Sequence, residues 1–452
     1  MILSDLQKEF GDRVTVDAAV RLQHGRDVSH HAAQPPDAVF FPQTTVDVAR
    51  AVSLCAAHRV PIVPFGTGTA VEGGVVAVHK GLCIDLTRMN RILSVSAVDA
   101  DAVVEAGVTR KQLNRFLEEK HDGVYFPVDP GADASLGGMA ATRASGSAAV
   151  RYGTMRENVL GLTVVLANGE TITTGGRSRK SSAGYDLTHL FIGSEGTLGI
   201  ITELIVKLAH VPEAASAAVC PFATFDAAVQ TAIDVITSGI PVARLELLDE
   251  VQMRAINAYS QLNCQVAPTL FFEFHGSKSA VIEQARRAEG IAKQHGGDQF
   301  QWATDEAERH RLWQARHDAY YASLALKPGG EGYVTDVCVP MSHFAECVRR
   351  TKHDLKTCSL PAPLFGHVGD GNFHVVFSID PHRPEELAEA KRLSEQIITH
   401  ALELGGTCTG EHGIGLGKRE ALIKERGPAI DVMRSIKRAL DPQNLMNPGK
   451  VL

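Results

Sequence analysis

The chain has 452 residues, enough for two or three domains with cores of their own. Its composition is that of a globular protein, 44% hydrophobic and 21% charged, with 45 Lys and Arg against 52 Asp and Glu. That mildly acidic balance, with no basic run, excludes a nucleic-acid footprint, and no apolar run approaches the ~18 residues of a membrane span. The N-terminus, MILSDLQKEFGDRV, lacks a signal-peptide apolar stretch, so the reading is of a cytoplasmic protein, at most peripheral to a membrane. Eight cysteines without a C-x-x-C pair argue against an iron–sulfur or cysteine–zinc site and for buried thiols.

Thr45 to His58 carries Val46, Ala49, Val52 and Ala56 at helical spacing behind Thr44, a capping residue, which predicts a helix. A short strand, Val60 to Phe65, leads into Gly66-Thr-Gly-Thr-Ala-Val-Glu-Gly-Gly74. A glycine-rich loop after a strand lets backbone N–H groups turn inward around phosphate oxygens. This one is neither a Walker loop nor a Rossmann fingerprint, since it lacks G-K-[ST] and does not open an apolar helix with G-x-G-x-x-G. Alone, it fits a surface turn as well as a nest.

Short strands follow in LCIDL, RILSVS and AVVEAGV, then a helix from Arg110 to Glu119. After the break at Pro127 to Gly131 comes a run of small residues from Ser135 to Gly146. A helix starting near Ser135 would aim its N-terminus at an anion, and small side chains admit a large flat ligand or a closely packed helix. Asn168-Gly169 predicts a hairpin between strands at 162–167 and 171–173. A third glycine-punctuated segment, Phe191 to Ile201, precedes the strand Ile201 to Leu208. Three such loops in the first 200 residues imply a large cofactor touched at several points.

The Ala-rich stretch Pro212 to Pro221 reads as a connection and marks a domain boundary. Beyond it, helices at 225–238, 279–295 and 305–326 alternate with strands at 243–248, 270–274, 333–339 and 373–379. This order suits an α+β domain with a mostly antiparallel sheet. A helix from Pro384 to Leu404 and a tail helical to about Leu440 complete the chain. The expected domains are 1–211, 212–412 and a C-terminal segment, 413–452, that returns to the first.

Two stretches of the second half carry candidate chemistry: FGHVGDGNFHV, from Phe365, and GTCTGEHGIGLG, from Gly406. Asp370-Gly371 suits a two-residue type I′ turn, which pairs Gly369 with Asn372, Val368 with Phe373 and His367 with His374. Opposed side chains on one face stand about 5 Å apart at Cβ, which suits two imidazoles converging on one ion and, for a lone pair, equally suits polar residues on a solvated hairpin. Glu411 is the candidate third ligand, and an open position remains for substrate. Two histidines and a carboxylate suit Zn²⁺, Mn²⁺ or Fe²⁺ alike.

The motifs PFGTGTAVEGG, DPGADASLGGMAATRASG, GSEGTLGIITE, GHVGDGNFH, GEHGIG and LDPQNLMNPGK occur in this order along nearly the whole chain. Together they resemble the FAD-linked D-2-hydroxyacid dehydrogenases of the vanillyl-alcohol oxidase superfamily, above all the cytochrome-type D-lactate dehydrogenases. The resemblance implies a two-lobed FAD-binding domain, joined by the C-terminal tail, and an α+β cap domain. It also implies a cofactor site made of Pro64, Gly66, Thr67, Gly68, Thr69, Gly73, Pro130, Gly131, Ser135, Gly137, Gly138, Ala141, Thr142, Ser145, Gly146, Glu195, Gly199, Ile200, Ile201 and Asn447. Some relatives attach the flavin to a histidine near the first loop. Phe65 to Gly74 holds none and His79 lies past it, so FAD is expected to be noncovalent.

The same likeness makes His367, His374 and Glu411 metal ligands, His412 the base and Arg316 the anchor of the substrate carboxylate, with Lys327 assisting. A divalent ion acidifies the substrate hydroxyl, His412 accepts its proton, and hydride passes from C2 to flavin N5. Val375 and Val376 after His374, where hydroxyglutarate enzymes tend to place a polar residue two positions beyond the histidine, favour a short or aliphatic side chain; D-lactate is the expected substrate, with D-2-hydroxyglutarate and glycolate as alternatives. The implied partners are a 2-hydroxy acid and an electron acceptor (a cytochrome, a quinone or an electron-transfer flavoprotein), and a homodimer is compatible with the sequence. The rival readings are a metal-dependent hydrolase, which would be colourless, and an idle flavin subunit of a larger complex.

Overall fold

Thr44 starts its helix as expected. Its hydroxyl accepts from Asp47 N–H while Asp47 accepts from Thr44 N–H, a reciprocal capping box, and the helix runs Thr45–His58. The buried face, however, is Val48, Ala51, Val52 and Cys55, and Val46 is 75% exposed. Both stripes have helical period. The core lies on the one carrying more volume.

The computed structural model describes residues 2–121, 123–297, 299–303 and 305–452. Its contacts divide the chain into two compact units. The first is Met1–Ser145, Gly153–Val211 and Glu411–Leu452; the second is Gly146–Tyr152 with Pro212–Gly410. The tail thus rejoins the first unit at Glu411, two residues before the expected bound, and residues 146–152 leave it for the second.

The first unit contains two lobes around one core. In one lobe the strands Ala38–Phe40 and Ile62–Phe65 flank Leu82–Asp85 in parallel, with Val14–Thr15 antiparallel at the edge. The other is an antiparallel sheet ordered Ile92–Ser96, Asp101–Glu105, Ile200–Lys207, Val159–Val165, Thr171–Gly175. The Asn168-Gly169 hairpin is present with a longer loop than two residues. Leu166 N–H donates to Glu170 O, and only Gly169 takes positive φ, +84°.

The second unit is built on an eight-stranded sheet in which all described pairings are antiparallel. The Ala-rich stretch read as a connection is in fact the strand Ala214–Pro221, held between Thr269–Gly276 and Gln301–Ala303. Alanine carries little strand preference, so the Phe-rich neighbour, through its ladder and packing, decides this segment. The predicted helix 305–326 is broken at Asp318 into Glu306–His317 and Ala319–Ala325. Among the described residues no helix is long and apolar enough to cross a membrane.

Candidate active site

Strand Val242–Leu248 reads V-A-R-L-E-L-L, so alternation sends Arg244 and Glu246 to one face and Leu245 and Leu247 to the other. The leucines join Phe272, Phe274, Val375 and Phe377 in the main core of the second unit. On the opposite face Arg244 stands across from Glu273 and Glu246 from Phe271, while Leu248 pairs with Phe365 on the next strand, Leu364–Gly366. This polar face is nonetheless buried: Glu246 is 0% exposed, His374 4% and Arg316 6%.

The histidine hairpin differs from its expected register. Phe365, not His367, pairs with His374, and Leu364 pairs with Val375. Val368–Asp370 forms a 3₁₀ turn closed by Gly371 at φ +75°, and Asn372 N–H donates to His367 O. A type I′ turn needs positive φ at Asp370 as well, which that residue does not take. The slip moves His367 by two positions along its strand, and two positions restore the same face. The rings therefore still converge diagonally, with centroids 5.6 Å apart and planes at 84°.

Each imidazole is oriented through Nδ1. His367 Nδ1 lies 2.7 Å from Glu246 Oε1, and His374 Nδ1 lies 3.1 Å from Thr335 O, with Asp336 Oδ1 at 3.7 Å. Carbonyl and carboxylate oxygens only accept, so these contacts put the ring N–H on Nδ1 and the lone pair of a neutral imidazole on Nε2. That is how ligating histidines are held in metal sites. Asp336 is fixed in turn by Asn372 Nδ2 at 2.8 Å and Thr409 Oγ1 at 2.7 Å.

Glu246 also receives Arg316, whose Nε lies 2.8 Å from Oε2 and whose guanidinium covers the Phe365 ring at 5.0 Å. Burial pushes the Glu246 carboxyl up, but Arg316 and His367 outweigh it and hold the group below its ordinary range. One buried carboxylate thus joins the expected carboxylate anchor to an expected metal ligand. Lys327 is not part of this group: it pairs with Glu386, which also caps Asp380 N–H at the start of the helix Pro384–Glu403.

In the first unit the three glycine loops and the tail meet. The loop after Phe65 reaches the helix Leu136–Thr142, whose cap is Ser135; a Cβ on Gly66 would stand 2.4 Å from Ser135 Oγ. At Gly196 a Cβ would lie 2.7 Å from Pro64 Cγ, and Glu195 N–H donates to Ala141 O. Asn447 Nδ2 donates to Gly74 O and Glu195 O. Backbone from four separate segments is thus packed too closely for side chains. This cradle suits a large ligand with a phosphate-bearing end, and the residues present fit FAD. Ile200 and Ile201 open the strand Ile200–Lys207 and join the core, and a Cβ on Gly199 would meet Val164 Cγ1 at 2.7 Å. The histidine beside the first loop is His31, against Gly73 and Gly417; His79 lies against Gly449.

Glu195 has a further task in the same unit. Its oxygens accept from Ile414 N–H at 2.6 Å and Gly415 N–H at 2.8 Å, while Glu72 O accepts from Leu416 N–H. Gly413 and Gly415 take φ +84° and +48°, and a Cβ on Gly415 would lie 2.1 Å from Glu72 O. The two residues before this clamp are Glu411 and His412, whose carboxylate and Nε2 stand 3.9 Å apart. Within the second unit, a Cβ on Gly410 would meet Asn372 Nδ2 at 2.3 Å.

Residues 36–175 match the family model described as FAD binding domain, and residues 211–451, over half of the chain, match that of FAD linked oxidases, C-terminal domain. The chain belongs to the FAD-linked oxidases. It is an FAD-dependent oxidoreductase resembling the D-lactate dehydrogenases. It is 51% identical to the probable mitochondrial D-lactate dehydrogenase of Danio rerio, over 100% of this chain and 91% of that one. Identity to the mitochondrial D-lactate dehydrogenase [cytochrome] of Arabidopsis thaliana is 46%, over 100% and 80%. For glycolate oxidase subunit GlcD of Bacillus subtilis it is 38%, over 96% and 92%. The solved structure of p-cresol methylhydroxylase superposes with a TM-score of 0.83 at 19% identity, covering 100% of this chain and 96% of that one. This likeness gives the fold, that of the vanillyl-alcohol oxidase type.

For this FAD-linked oxidase, the residues that motif reading missed are Glu246, Asp336 and Thr409. A signal was present for the first: two charges two residues apart in an otherwise apolar strand mark a buried polar face. The cradle yields a prediction. Gly66→Val should lower the stability of the first unit by about 1–3 kcal/mol in urea unfolding and reduce the FAD that copurifies, since its Cβ would stand 2.4 Å from Ser135 Oγ in the folded chain itself. Full yellow colour in that variant would show that Ser135 moves aside without cost.

Proposed function

We propose that this FAD-linked oxidase oxidises a D-2-hydroxy acid, D-lactate to pyruvate in the first instance, with a divalent metal held by His367, His374 and Glu411. The observation that carries the reading is Glu246, which orients His367 with one oxygen and holds Arg316 with the other. A substrate carrying hydroxyl and carboxylate on adjacent carbons needs those two groups side by side.

FAD, held noncovalently by the cradle, would supply the acceptor for a hydride equivalent from the substrate. A divalent ion at the two imidazoles and the carboxylate would supply a Lewis acid that lowers the hydroxyl pKa. Arg316 binds the substrate carboxylate through the edge of its guanidinium turned away from Glu246. His412 would accept the substrate hydroxyl proton, and the Glu195 clamp holds the backbone that follows it. Val376 is packed with Phe365, Trp313 and Phe271, which supports an aliphatic substrate over a second carboxylate.

Family membership supports this reading over the metal-dependent hydrolase. The names of the animal and plant relatives place those proteins in mitochondria, which argues against the cytoplasmic location expected for this chain. The test is an anaerobic spectrum of the purified protein with a panel of D- and L-2-hydroxy acids, before and after chelation. Bleaching by D-lactate, lost on chelation and restored by Zn²⁺ or Mn²⁺, is the expected result. Bleaching that survives complete removal of metal would sink the metal assignment, and no bleaching by any acid would sink the substrate class.

A further inference from the structure

A buried ion pair lies wholly in the first unit, against the start of the first glycine loop. His24 caps the end of the helix Ala18–Gln23, and Asp85 ends the strand Leu82–Asp85, where it pairs with Phe65 in the parallel ladder. His24 Nε2 lies 2.8 Å from Asp85 Oδ2 and Nδ1 lies 2.8 Å from Val20 O, and both side chains are buried. Carboxylate and carbonyl oxygens only accept, so each ring nitrogen needs a hydrogen and the ring is an imidazolium. Burial pushes its pKa down, but the hydrogen bonds to Asp85 and Val20 O and the Asp85 charge outweigh burial and raise it above the ordinary 6.5. The other oxygen of Asp85 accepts from Thr87 N–H and Oγ1. Arg88 covers the Phe41 ring, which meets the imidazole edge-on at 5.7 Å, and the Cys83 thiol is pushed well up by burial and by Asp85 and stays neutral. On the helix of His24 itself, Arg21 donates to Pro36 O and Asp17 caps Ala19 and Val20 N–H.

Phe65 joins this pair to the loop. Its ring lies 4.5 Å from the imidazole, centre to centre, and Gly68, at φ +68°, passes so close that a Cβ there would stand 2.9 Å from Phe65 Cζ. The segment after His24 is bonded to the same loop, Val28 N–H donating to Ala70 O at 2.9 Å. One aromatic ring thus separates a fixed positive charge from the loop backbone. With one proton gone, a lone pair of the ring would face either Val20 O or Asp85, a buried contact between two acceptors. The ring then has to turn or shift, and the phenyl ring packed on it follows.

We propose that His24 is a positioning residue for FAD: as an imidazolium on Asp85 it fixes Phe65 against the Gly66–Gly74 loop and places positive charge behind it, so the loop is set for the cofactor's pyrophosphate only while the ring holds both protons. The charged form is complete well below pH 6.5 and is lost as the pH rises through the raised value, so retention of FAD weakens on the alkaline side. The inference needs the cofactor that family membership gives. It does not depend on which acid the enzyme oxidises.

The test follows FAD leaving the holoenzyme. Wild type, His24→Gln and Asp85→Asn are diluted into buffers from about pH 6 to 9 at one ionic strength, and the rate is read from the fluorescence of released flavin. Wild type should release FAD about tenfold faster at the alkaline end while its circular dichroism stays unchanged. His24→Gln should release it at the fast rate throughout, with no step. Asp85→Asn should move the step to lower pH, because the carboxylate that favours the charged ring is gone. A wild-type rate that ignores pH overturns the proposal, as does a step that persists in His24→Gln or a His24→Gln that holds FAD as slowly as acid wild type. Alkaline release that coincides with loss of circular dichroism marks unfolding and also overturns it. A neutron structure of the wild type at about pH 6 should show hydrogen on both ring nitrogens of His24, and a singly protonated ring would overturn the proposal whatever the variants do.

Discussion

Replacing His412 by alanine is expected to slow flavin reduction by D-lactate about 10²–10⁴-fold while leaving the bound-FAD spectrum unchanged. The reasoning begins with the backbone. Gly413 and Gly415 hold positive φ, and the N–H groups of Ile414 and Gly415 are spent on Glu195. These bonds do not involve the His412 side chain, so removing it leaves the clamp and the cradle around Glu195 intact. What is lost is an imidazole only 18% exposed, beside the Glu411 carboxylate. The measurement is anaerobic stopped-flow at the flavin bands, with added imidazole as a rescue. A variant reduced at the wild-type rate would remove His412 from the chemistry, and loss of FAD from the variant would show that the side chain serves the cradle instead.

The fold was largely legible because its local signals agree. Thr44 and Asp47 announce a helix start, Asn168-Gly169 a hairpin, and the six ordered motifs the architecture. Reading failed where tertiary contacts outweigh local preference. Ala214–Pro221 has no strand signature of its own and is made a strand by the Phe-rich neighbour on one side and Gln301–Ala303 on the other. The histidine hairpin kept its face and lost its register, because dipeptide chemistry favours one turn and the 3₁₀ turn before Gly371 another. Lys327 pairs with Glu386, 59 positions away, a contact that no local window predicts. Glu246 lies 121 positions from His367 and 70 from Arg316, and no local window connects them.

Glu246→Ala should be the most destabilising single change in the second unit's polar face, by about 3–5 kcal/mol, because it strands a buried guanidinium beside an imidazole that has lost its acceptor. Glu246 is 0% exposed, so the groups it pairs with would be left without a partner in the interior. Glu246→Gln keeps the shape and should cost less, but its amide accepts at one atom only, so either Arg316 or His367 loses its partner. If Arg316 is the one released, the KM for D-lactate should rise; if His367 swings away, metal content should fall first.

The pH dependence separates charge from shape. The folded-state carboxyl sits below its ordinary 4.5, so its stabilisation is fully present above that pH and is lost as the pH falls through the lower folded value. Urea unfolding of wild type and Glu246→Gln between pH 7 and about 3 should therefore show the two curves converging on the acid side. Parallel curves, or an alanine variant as stable as wild type, would mean that Arg316 and His367 are held by packing against Phe365 and the sheet rather than by the shared carboxylate. The link between substrate anchor and metal ligand would then be lost with it.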